Sequence, residues 1–229
     1  MTAERNVAVV DTAPLIDRYA AEALQFQPRP LDALLRVIDV LLSATALLGA
    51  APVLALCALA VRMSGRSVLY RGARVGRFGG TFTMYKFRTL KLGADQRLGS
   101  RLGEELTRLT EAELTRVGVH LRRHKLDELP QLWNVLMGDM SLVGPRPIRP
   151  AFFEELSRDI PAYWQRLVVR PGVTGFAQLR LTREMTWEEK LAHDFEWIAD
   201  RSVALYVRIL AETLWLLVTR PPRGPVGRI

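Results

Sequence analysis

The sequence contains a single cysteine, Cys57, among its 229 residues. One thiol forms no disulfide within the chain, which excludes the small secreted domains that disulfides hold together. The residues on either side of Cys57 are apolar rather than basic or metal-binding. We therefore expect a protein that faces a reducing compartment such as the cytosol.

Acidic residues are the minority charge, since 24 Asp and Glu stand against 32 Lys and Arg and the net charge is +8. This imbalance predicts an anionic partner, and nucleic acid, anionic lipid and a phosphorylated substrate all fit it. The start of the chain lacks the compact apolar core of a secretory signal. We expect a flexible N-terminal extension over 1–30, one domain over 31–219 and a disordered tail over 220–229.

Charge is absent from one long stretch, Val40 to Val61, which reads VLLSATALLGAAPVLALCALAV. At about 1.5 Å per residue, a helix of this length crosses a hydrocarbon layer of roughly 30 Å. Pro52 lies near its middle with Gly49 close by, and arginines stand on both sides. A proline interrupts a helix, and the positive-inside rule places both ends in the cytoplasm. We predict a re-entrant helix–break–helix over 31–62, with a simple transmembrane helix or a buried soluble helix as alternatives.

Short strands and amphipathic helices follow this stretch. Alternating residues over 67–72 and 81–87, joined by a glycine-rich turn, predict a β-hairpin. Helices are predicted over 150–168, 187–200 and 203–219, and the last is apolar enough to lie in a membrane interface. The predicted fold class is α+β and predominantly helical, with a re-entrant membrane element, a small β-hairpin and amphipathic interfacial helices.

Two pairs of residues have a spacing that brings side chains together on a helix. Arg36 and Asp39 are three apart, and we expect them either to pair at the membrane edge or to form an incidental surface ion pair. His120 and His124 are four apart, a metal-ligand spacing, but no Glu of the H-E-x-x-H type accompanies them. A zinc site is therefore disfavoured.

The segment from Lys125 to Pro147 reads KLDELPQLWNVLMGDMSLVGPRP and carries most of the chemistry. Asp127 and Glu128 follow the basic run RRHK and precede an apolar helix. In structural terms, Asp127 suits an N-cap and Gly138 a helix stop. In chemical terms, the neighbouring bases and the helix N-terminus are expected to keep Asp127 ionised. An ionised carboxylate is able to attack phosphorus, and a neighbouring carboxylate is able to hold Mg²⁺, so a cap and a reactive site both stay open here.

Several bases lie in positions that suit phosphate. Lys86 and Arg88 are alternate residues at the end of the second predicted strand and share one face. Arg146 stands between two prolines in GPRP, and Arg170 opens the motif RPG. Stiff loops of this kind present a guanidinium for bidentate phosphate contact, although each one alone is also typical of a turn with a surface arginine.

The blocks YKFRTL, LDELPQLWNVLMGDMSLVGPRP and RPGVTGFAQL resemble the signature blocks of the bacterial sugar transferases. These are monotopic phosphoglycosyl transferases, and the resemblance runs from Leu31 to Val218. It implies transfer of a sugar 1-phosphate from a UDP-sugar to undecaprenyl phosphate, through a covalent aspartyl-phosphosugar intermediate and with release of UMP. This reaction is the first membrane step of bacterial glycan assembly, such as that of exopolysaccharide, O-antigen or glycoprotein.

Residue by residue, the resemblance implies that Asp127 is the nucleophile and that Glu128 binds Mg²⁺, the expected cofactor. The positions implied to contact or organise substrate are Lys86, Arg88, Arg122, Arg146, Arg170 and Asp194. The implied location is the bacterial inner membrane, with the catalytic face in the cytoplasm.

The sequence departs from the family pattern at three places, and the mildest is Phe176, which stands where Trp is common. The family's membrane helix often breaks at Ser-Pro, whereas this chain has Ala51 before Pro52. Many members have Asn-Gly-Arg after GFAQL, whereas this chain has RLTR over 180–183. Arg183 is the residue there that supplies a guanidinium, and we expect it to contact substrate.

Two other classes of function stay open as alternatives. A non-catalytic membrane scaffold of the same fold is the first. A basic nucleic-acid binder is the second, but no aromatic–basic strand motif supports it, so we expect no nucleic-acid partner. The expected partners are a UDP-sugar, undecaprenyl phosphate and membrane lipid. The sequence does not identify the sugar, and it leaves a homo-oligomer open.

Overall fold

The structure, a computed structural model, describes residues 29–64, 67–94, 97, 109–180 and 185–219. The predictions for the N-terminal extension before residue 29, for the tail over 220–229 and for Arg183 lie outside these ranges.

The first helix, α1, runs from Pro30 to Met63 and contains 34 residues. It begins in a favourable way, because Pro30 occupies the first turn and Asp32 accepts a hydrogen bond from the backbone N–H of Arg29 at 2.9 Å. No residue over 44–56 is buried. Of the helices in the described ranges, α1 is the one long and apolar enough to cross a membrane, with a mean hydropathy of 2.2.

The predicted break at Pro52 is not an interruption, since the helix continues through it. Near its start, Arg36 Nη2 donates to the carbonyl of Leu136 at 2.8 Å. Near its end, Val61 belongs to a cluster that includes Leu126. Both ends of α1 therefore pack against the body of the protein, although a straight helix would place these two points roughly 37 Å apart. We infer that α1 bends, and Pro52 lies in the stretch without buried residues where bending meets least resistance.

A β-hairpin follows, and it confirms the predicted pair of strands. Strand β1 spans Leu69–Val75 and strand β2 spans Thr81–Phe87, paired antiparallel with Tyr70 opposite Lys86. The first strand lies two residues later than predicted at its start and three at its end. The hairpin matters for the site because Lys86, the penultimate residue of β2, contacts Glu128.

The central part of the chain consists of short elements. Helix α2 spans Arg116–Arg123, a single 3₁₀ turn spans Leu126–Glu128, and helix α3 spans Gln131–Met137. Thr115 caps α2 by accepting from the N–H of Gly118 at 2.8 Å. Gly138 ends α3 in the left-handed conformation at φ 91°, as the sequence predicts.

Two strands of three residues lie beyond α3, and periodicity did not reveal them. Strands β3 (Ser141–Val143) and β4 (Gly172–Thr174) pair in parallel. The backbones of β4 and of the residue after β3 approach so closely that a Cβ on Gly172 would lie 2.1 Å from the backbone nitrogen of Gly144. Glycine is therefore required in β4 opposite the point where the GPRP loop leaves β3.

Helix α4 spans Pro150–Asp159 and is followed by a 3₁₀ helix, Tyr163–Val168. The prediction of one helix over 150–168 is wrong, because Pro161 forces Ile160 into an extended conformation at φ −123°, ψ 94°. The remaining helices are α5 (Phe176–Arg180), α6 (Trp187–Asp200) and α7 (Val203–Thr219).

The bounds of α6 and α7 confirm the last two predicted helices. Thr186 and Glu189 form a capping box at the start of α6. The predicted fold class, α+β and predominantly helical, is also confirmed. The position of α7 in a membrane interface stays a prediction, and its exposed Leu214, Trp215 and Val218 suit that position.

The main core joins α1, β2, α3, β3, α6 and α7 around fully buried residues such as Val135, Tyr206 and Ile209. Asn134 of α3, which is 0% exposed, fixes this helix against the hairpin. Its Oδ1 accepts from the N–H of Tyr85 at 3.0 Å, and its Nδ2 donates to the carbonyl of Thr83 at 2.7 Å. The residues just before α3 are therefore held beside the end of β2.

The predicted pair of Arg36 and Asp39 does not form. Asp39 is buried, and its Oδ1 accepts from the N–H of Leu142, from Ser141 Oγ and from the hydroxyl of Tyr206, at 2.8, 3.0 and 2.6 Å. Arg36 donates instead to carbonyls at the end of α3. A buried carboxylate gains more from three fixed donors than from one flexible guanidinium, and the arginine suits the negative end of a helix.

Candidate active site

Asp127 and Glu128 lie in a tight turn between α2 and α3. Lys125 adopts the left-handed conformation at φ 57°, which ends the α2 segment and starts the 3₁₀ turn Leu126–Glu128. Helix α3 begins only after Pro130. The prediction that Asp127 is the N-cap of this helix is therefore wrong. Asp127 is 6% exposed, and its carboxyl interacts electrostatically with Lys86, Arg122 and Lys125.

Glu128 meets cations from two different elements. Its Oε1 lies 2.7 Å from Lys86 Nζ of β2 and 3.8 Å from Arg146 Nη2 of the GPRP loop. Burial by itself raises the pKa of Glu128, but Lys86 and Arg146 reverse this effect and hold the pKa well below its usual range. Burial lowers the pKa of Lys86, and Glu128 opposes that change. The pair is ionised and acts as one unit.

Asp127 has the opposite tendency. Burial raises the pKa of the Asp127 carboxyl, the adjacent Glu128 raises it further, and Lys86, Arg122 and Lys125 only partly oppose them. The sequence suggested that the bases lower it, and the structure corrects the direction because it shows how deeply the carboxyl is buried. A carboxylate with a raised pKa is a stronger base, and hence a better nucleophile, once it is ionised.

Arg122 reaches the same region from α2. Its Nε donates to Thr89 Oγ1 at 2.9 Å, and Thr89 is buried just after the end of β2. Burial lowers the pKa of Arg122, whereas Asp127 and Glu128 raise it. The guanidinium is thus held near both carboxylates. Sequence reasoning missed Thr89, because one threonine at the end of a strand carries no distinguishing pattern.

The loop that carries Arg146 is held by a buried ion pair. Arg166 Nη2 donates to the carbonyl of Arg146 at 3.0 Å and lies 2.7 Å from Asp194 Oδ2. Arg166 Nη1 also donates to the hydroxyl of Tyr163 at 2.7 Å. Arg166 and Asp194 are 6% and 5% exposed. Asp194, expected at the substrate, therefore lies behind the site, and Arg166 is a residue that the sequence reasoning missed.

Two other predicted residues do not reach the carboxylates. Arg88 follows β2, and its Nε donates to Ser67 Oγ at 2.8 Å rather than facing Glu128 with Lys86. Arg170 Nε donates to the carbonyl of Gly138 at 2.9 Å, which places it at the opposite end of α3 from Asp127. The structure thus brings Lys86, Arg122 and Arg146 to the Asp–Glu pair and leaves Arg88 and Arg170 outside it.

The donors present suit a magnesium ion that substrate completes. Within the described ranges, no group of three or more His, Cys, Asp or Glu residues could hold a metal alone. Mg²⁺ usually binds through one or two carboxylates together with substrate phosphates, and retains several waters. The adjacent carboxylates of Asp127 and Glu128 match that requirement, with Glu128 the more firmly ionised of the two.

Comparison with known proteins places these features in a family. A family model described as bacterial sugar transferase matches residues 31–220. The chain belongs to this family. The match includes the hairpin, the Asp–Glu turn and the GPRP loop, so the whole candidate site lies within the bacterial sugar transferase region.

Three relatives illustrate the family. UDP-N-acetylgalactosamine-undecaprenyl-phosphate N-acetylgalactosaminephosphotransferase of Aeromonas hydrophila is 34% identical over 197 residues, which cover 84% of this chain and 45% of that protein. UDP-glucose:undecaprenyl-phosphate glucose-1-phosphate transferase of Escherichia coli (strain K12) is 36% identical over 186 residues, 79% of this chain and 39% of that protein. The protein of the same name from Caulobacter vibrioides is 38% identical over 192 residues, 80% of this chain and 69% of that protein.

The chain therefore spans less than half the length of the first two relatives and a larger share of the third. Membership of the bacterial sugar transferase family, together with the exposed apolar helix α1, indicates that the protein associates with a membrane.

Proposed function

We propose that this sugar transferase moves a sugar 1-phosphate from a UDP-sugar to undecaprenyl phosphate. The observation that carries the proposal is the buried Asp127 carboxyl with a raised pKa, set beside an ionised Glu128 and three cations. Relatives named for this reaction support it, with UDP-N-acetylgalactosamine or UDP-glucose as the sugar donor in their names.

In the first step, an oxygen of the Asp127 carboxylate attacks the phosphorus that bears the sugar. A bond forms between this oxygen and the phosphorus, and the bond from the phosphorus to the oxygen bridging to the uridine side breaks. UMP leaves with the bridging oxygen and its electron pair. The product is an aspartyl-phosphosugar on the enzyme.

In the second step, a phosphate oxygen of undecaprenyl phosphate attacks the same phosphorus. The bond between this phosphorus and Asp127 breaks, which returns the carboxylate and yields undecaprenyl diphosphate sugar. No net proton or redox change is required. The two displacements use one site in turn, so the acceptor enters after UMP has left.

The remaining residues stabilise the charge that the substrates bring. Arg146 and Arg122 are placed to contact phosphate oxygens, and Arg suits such contacts because its planar fork is bidentate. Lys86 keeps Glu128 ionised and in place through the 2.7 Å ion pair. Glu128 would hold Mg²⁺ together with substrate phosphates, and the ion would supply neutralisation of the diphosphate.

Location follows from the same proposal. Undecaprenyl phosphate is a membrane lipid and UDP-sugars are made in the cytosol, so the site belongs at the cytoplasmic face of the inner membrane. The bend inferred in α1 supports this location, because it brings both ends of the helix to the side that carries Asp127.

The test is substitution of Asp127 by Asn, which keeps the size of the side chain but removes the nucleophile. We expect UMP release to fall by roughly 10³-fold or more, as for other covalent nucleophiles. The assay uses purified full-length protein, undecaprenyl phosphate, Mg²⁺ and a panel of UDP-sugars that includes UDP-glucose and UDP-N-acetylgalactosamine. Donor labelled at the phosphorus that bears the sugar is expected to label the wild-type protein, but not the variant, when acceptor is omitted.

Asp159→Asn is the matched control, because Asp159 is an exposed acid at the end of α4. It is expected to retain wild-type turnover. Full turnover by Asp127→Asn would refute the covalent mechanism. Wild-type protein that releases no UMP from any donor would instead support a non-catalytic scaffold of the same fold.

A further inference from the structure

A second group of arginines lies away from the Asp–Glu pair, at the other end of α3. Arg77, Arg170 and Arg201 line a surface pocket together with Asp32, Asp39 and Trp197. This pocket lies away from the candidate active site, because Arg170 contacts the carbonyl of Gly138 just after the C-terminus of α3. The first turns of α1 form one wall of the pocket. Neither the proposed reaction nor the Asp–Glu turn uses these side chains.

Both acids of the pocket are already engaged. Asp32 forms a two-pronged ion pair with Arg201, at 2.8 Å from Nε to Oδ1 and 3.3 Å from Nη2 to Oδ2. Asp39 accepts from one backbone N–H and two hydroxyls through its Oδ1. The pocket therefore contains three cations and two anions, and one of those cations is already neutralised by Asp32.

Arg77 and Arg170 remain without an acidic partner. Each uses only its Nε, which donates to the carbonyl of Val168 at 3.0 Å for Arg77 and of Gly138 at 2.9 Å for Arg170. In the described part of the chain, neither guanidinium lies within 4.0 Å of a carboxylate, and their Nη groups make no hydrogen bond. The Cζ atom of Arg77 also lies 4.4 Å from the centroid of the Phe78 ring. This stacking covers the face of the guanidinium and leaves its N–H edge available for hydrogen bonds to an anion.

The two side chains are held in an environment that disfavours their charge. Burial lowers the pKa of Arg77 and the nearby Arg170 lowers it further, while Asp32 opposes these effects only in part. Burial lowers the pKa of Arg170 and the nearby Arg36 adds to this effect, while Asp39 and Asp32 oppose it only in part. Half-buried cations with unpaired Nη groups are stabilised by a bound anion. Two guanidinium forks that converge on one pocket match the oxygens of a phosphate group.

We propose that this pocket binds a phosphate group, supplied by the headgroup of an anionic membrane lipid. The neighbouring surface supports a lipid as the source, because Leu42 and Ala46, which follow Asp39 by three and seven residues on the same side of α1, are exposed. Acyl chains would lie along this apolar face while the headgroup reaches the arginines. Free phosphate has the same chemistry and is the other source to test. The proposal does not depend on the transferase reaction.

The first experiment measures binding of full-length protein to vesicles of phosphatidylcholine alone and of phosphatidylcholine with phosphatidylglycerol. Arg77→Gln/Arg170→Gln is compared with Arg62→Gln/Arg158→Gln, which removes the same charge from exposed positions. We expect the pocket variant to lose about tenfold or more of the preference for the anionic vesicles. The control is expected to lose clearly less. Equal losses in the two variants would mean a diffuse charge effect and would overturn the lipid source.

The second experiment follows thermal unfolding of the same proteins in neutral detergent as inorganic phosphate is added. Binding at the candidate active site is common to all of them and cancels in the comparison. Suppose that the pocket variant alone loses the stabilisation by phosphate, but binds anionic vesicles as the control does. The pocket would then be assigned to free phosphate rather than to a lipid headgroup. No specific loss in either experiment refutes the pocket as a phosphate site. If the double variant does not fold, Arg77→Lys and Arg170→Lys, which keep charge but lose the fork, take its place.

Discussion

Two adjacent carboxylates acquire different properties because their side chains meet different partners. Glu128 takes the direct contact with Lys86 at 2.7 Å, and its pKa is held low. Asp127 makes no such contact, and burial raises its pKa. One residue is therefore a fixed anion and the other a base of adjustable charge. This difference matches a division between a residue that holds metal and phosphate and a residue that attacks.

Substitution of Lys86 by Gln tests this division at the residue level. Lys86 lowers the pKa of both Asp127 and Glu128, so its loss is expected to raise both values. The carboxylates then stay protonated to a higher pH, and the acid limb of kcat/KM against pH moves upward. At neutral pH we expect a loss of roughly 10²-fold, since a fixed cation is also removed from the phosphates.

The matched control is Lys91→Gln, because Lys91 is an exposed lysine that contacts the backbone carbonyl of Ala112. Its pH profile is expected to follow the wild type. An acid limb that stays in place in Lys86→Gln would show that Lys86 does not set the charge of the Asp–Glu pair. Thermal unfolding of both variants separates this outcome from a simple loss of fold.

At the scale of elements, α6 and the 3₁₀ helix Tyr163–Val168 act on the site from behind. Asp194 of α6 pairs with Arg166, and Arg166 in turn holds the carbonyl of Arg146. The pair is buried, so its ends cannot exchange partners with water. Its role is to fix the GPRP loop at a distance where Arg146 reaches Glu128.

Asp194→Asn is expected to destabilise the fold and to weaken catalysis together. Breaking a buried ion pair on one side costs about 3–5 kcal/mol, because the remaining charge is left uncompensated. Arg146 loses its anchor, so we expect KM for the UDP-sugar to rise more than kcat falls. Thermal unfolding and steady-state kinetics measure these two effects.

Two comparisons make this result decisive. Glu196→Gln breaks the more exposed ion pair of Glu196 on the same helix with Arg180, and it is expected to change unfolding little. Asp194→Glu keeps the charge and is expected to recover part of the binding. Lost activity with unchanged stability in Asp194→Asn would instead favour direct contact with substrate, which is what the family resemblance implies.

Sequence reasoning succeeds for elements that carry their own signals. The hairpin shows alternation, α6 has its Thr186 capping box, and Gly138 stops α3. It fails where residues distant in sequence determine the position or the burial of a side chain. Arg146 and Arg170 both follow the same pattern of a base in a proline-bearing loop, yet they lie at opposite ends of α3. Burial of Asp127 is likewise a property of the packed molecule, and no local pattern contains it.

For the molecule as a whole, α3 and its flanking residues separate two regions of charge. Asp127 and Glu128 precede its N-terminus, where the helix dipole favours acids. Arg36 and Arg170 donate to carbonyls at its C-terminus, where the dipole favours cations. One region handles the proposed chemistry, and the other meets the start of α1.

The inferred bend in α1 makes a prediction about the path of the whole chain. Because both ends of α1 contact the same body, Arg29→Cys and Ser64→Cys, each in a Cys57→Ala background, are expected to lie on one side of the membrane. A membrane-impermeant maleimide should label both in inverted inner-membrane vesicles and neither in intact spheroplasts. Pro52→Leu removes the residue that weakens the helix, and it should move Arg29→Cys towards the outer side. If the cysteines at positions 29 and 64 were labelled from opposite sides in proteins that keep Pro52, α1 would span the membrane and the re-entrant path would be refuted.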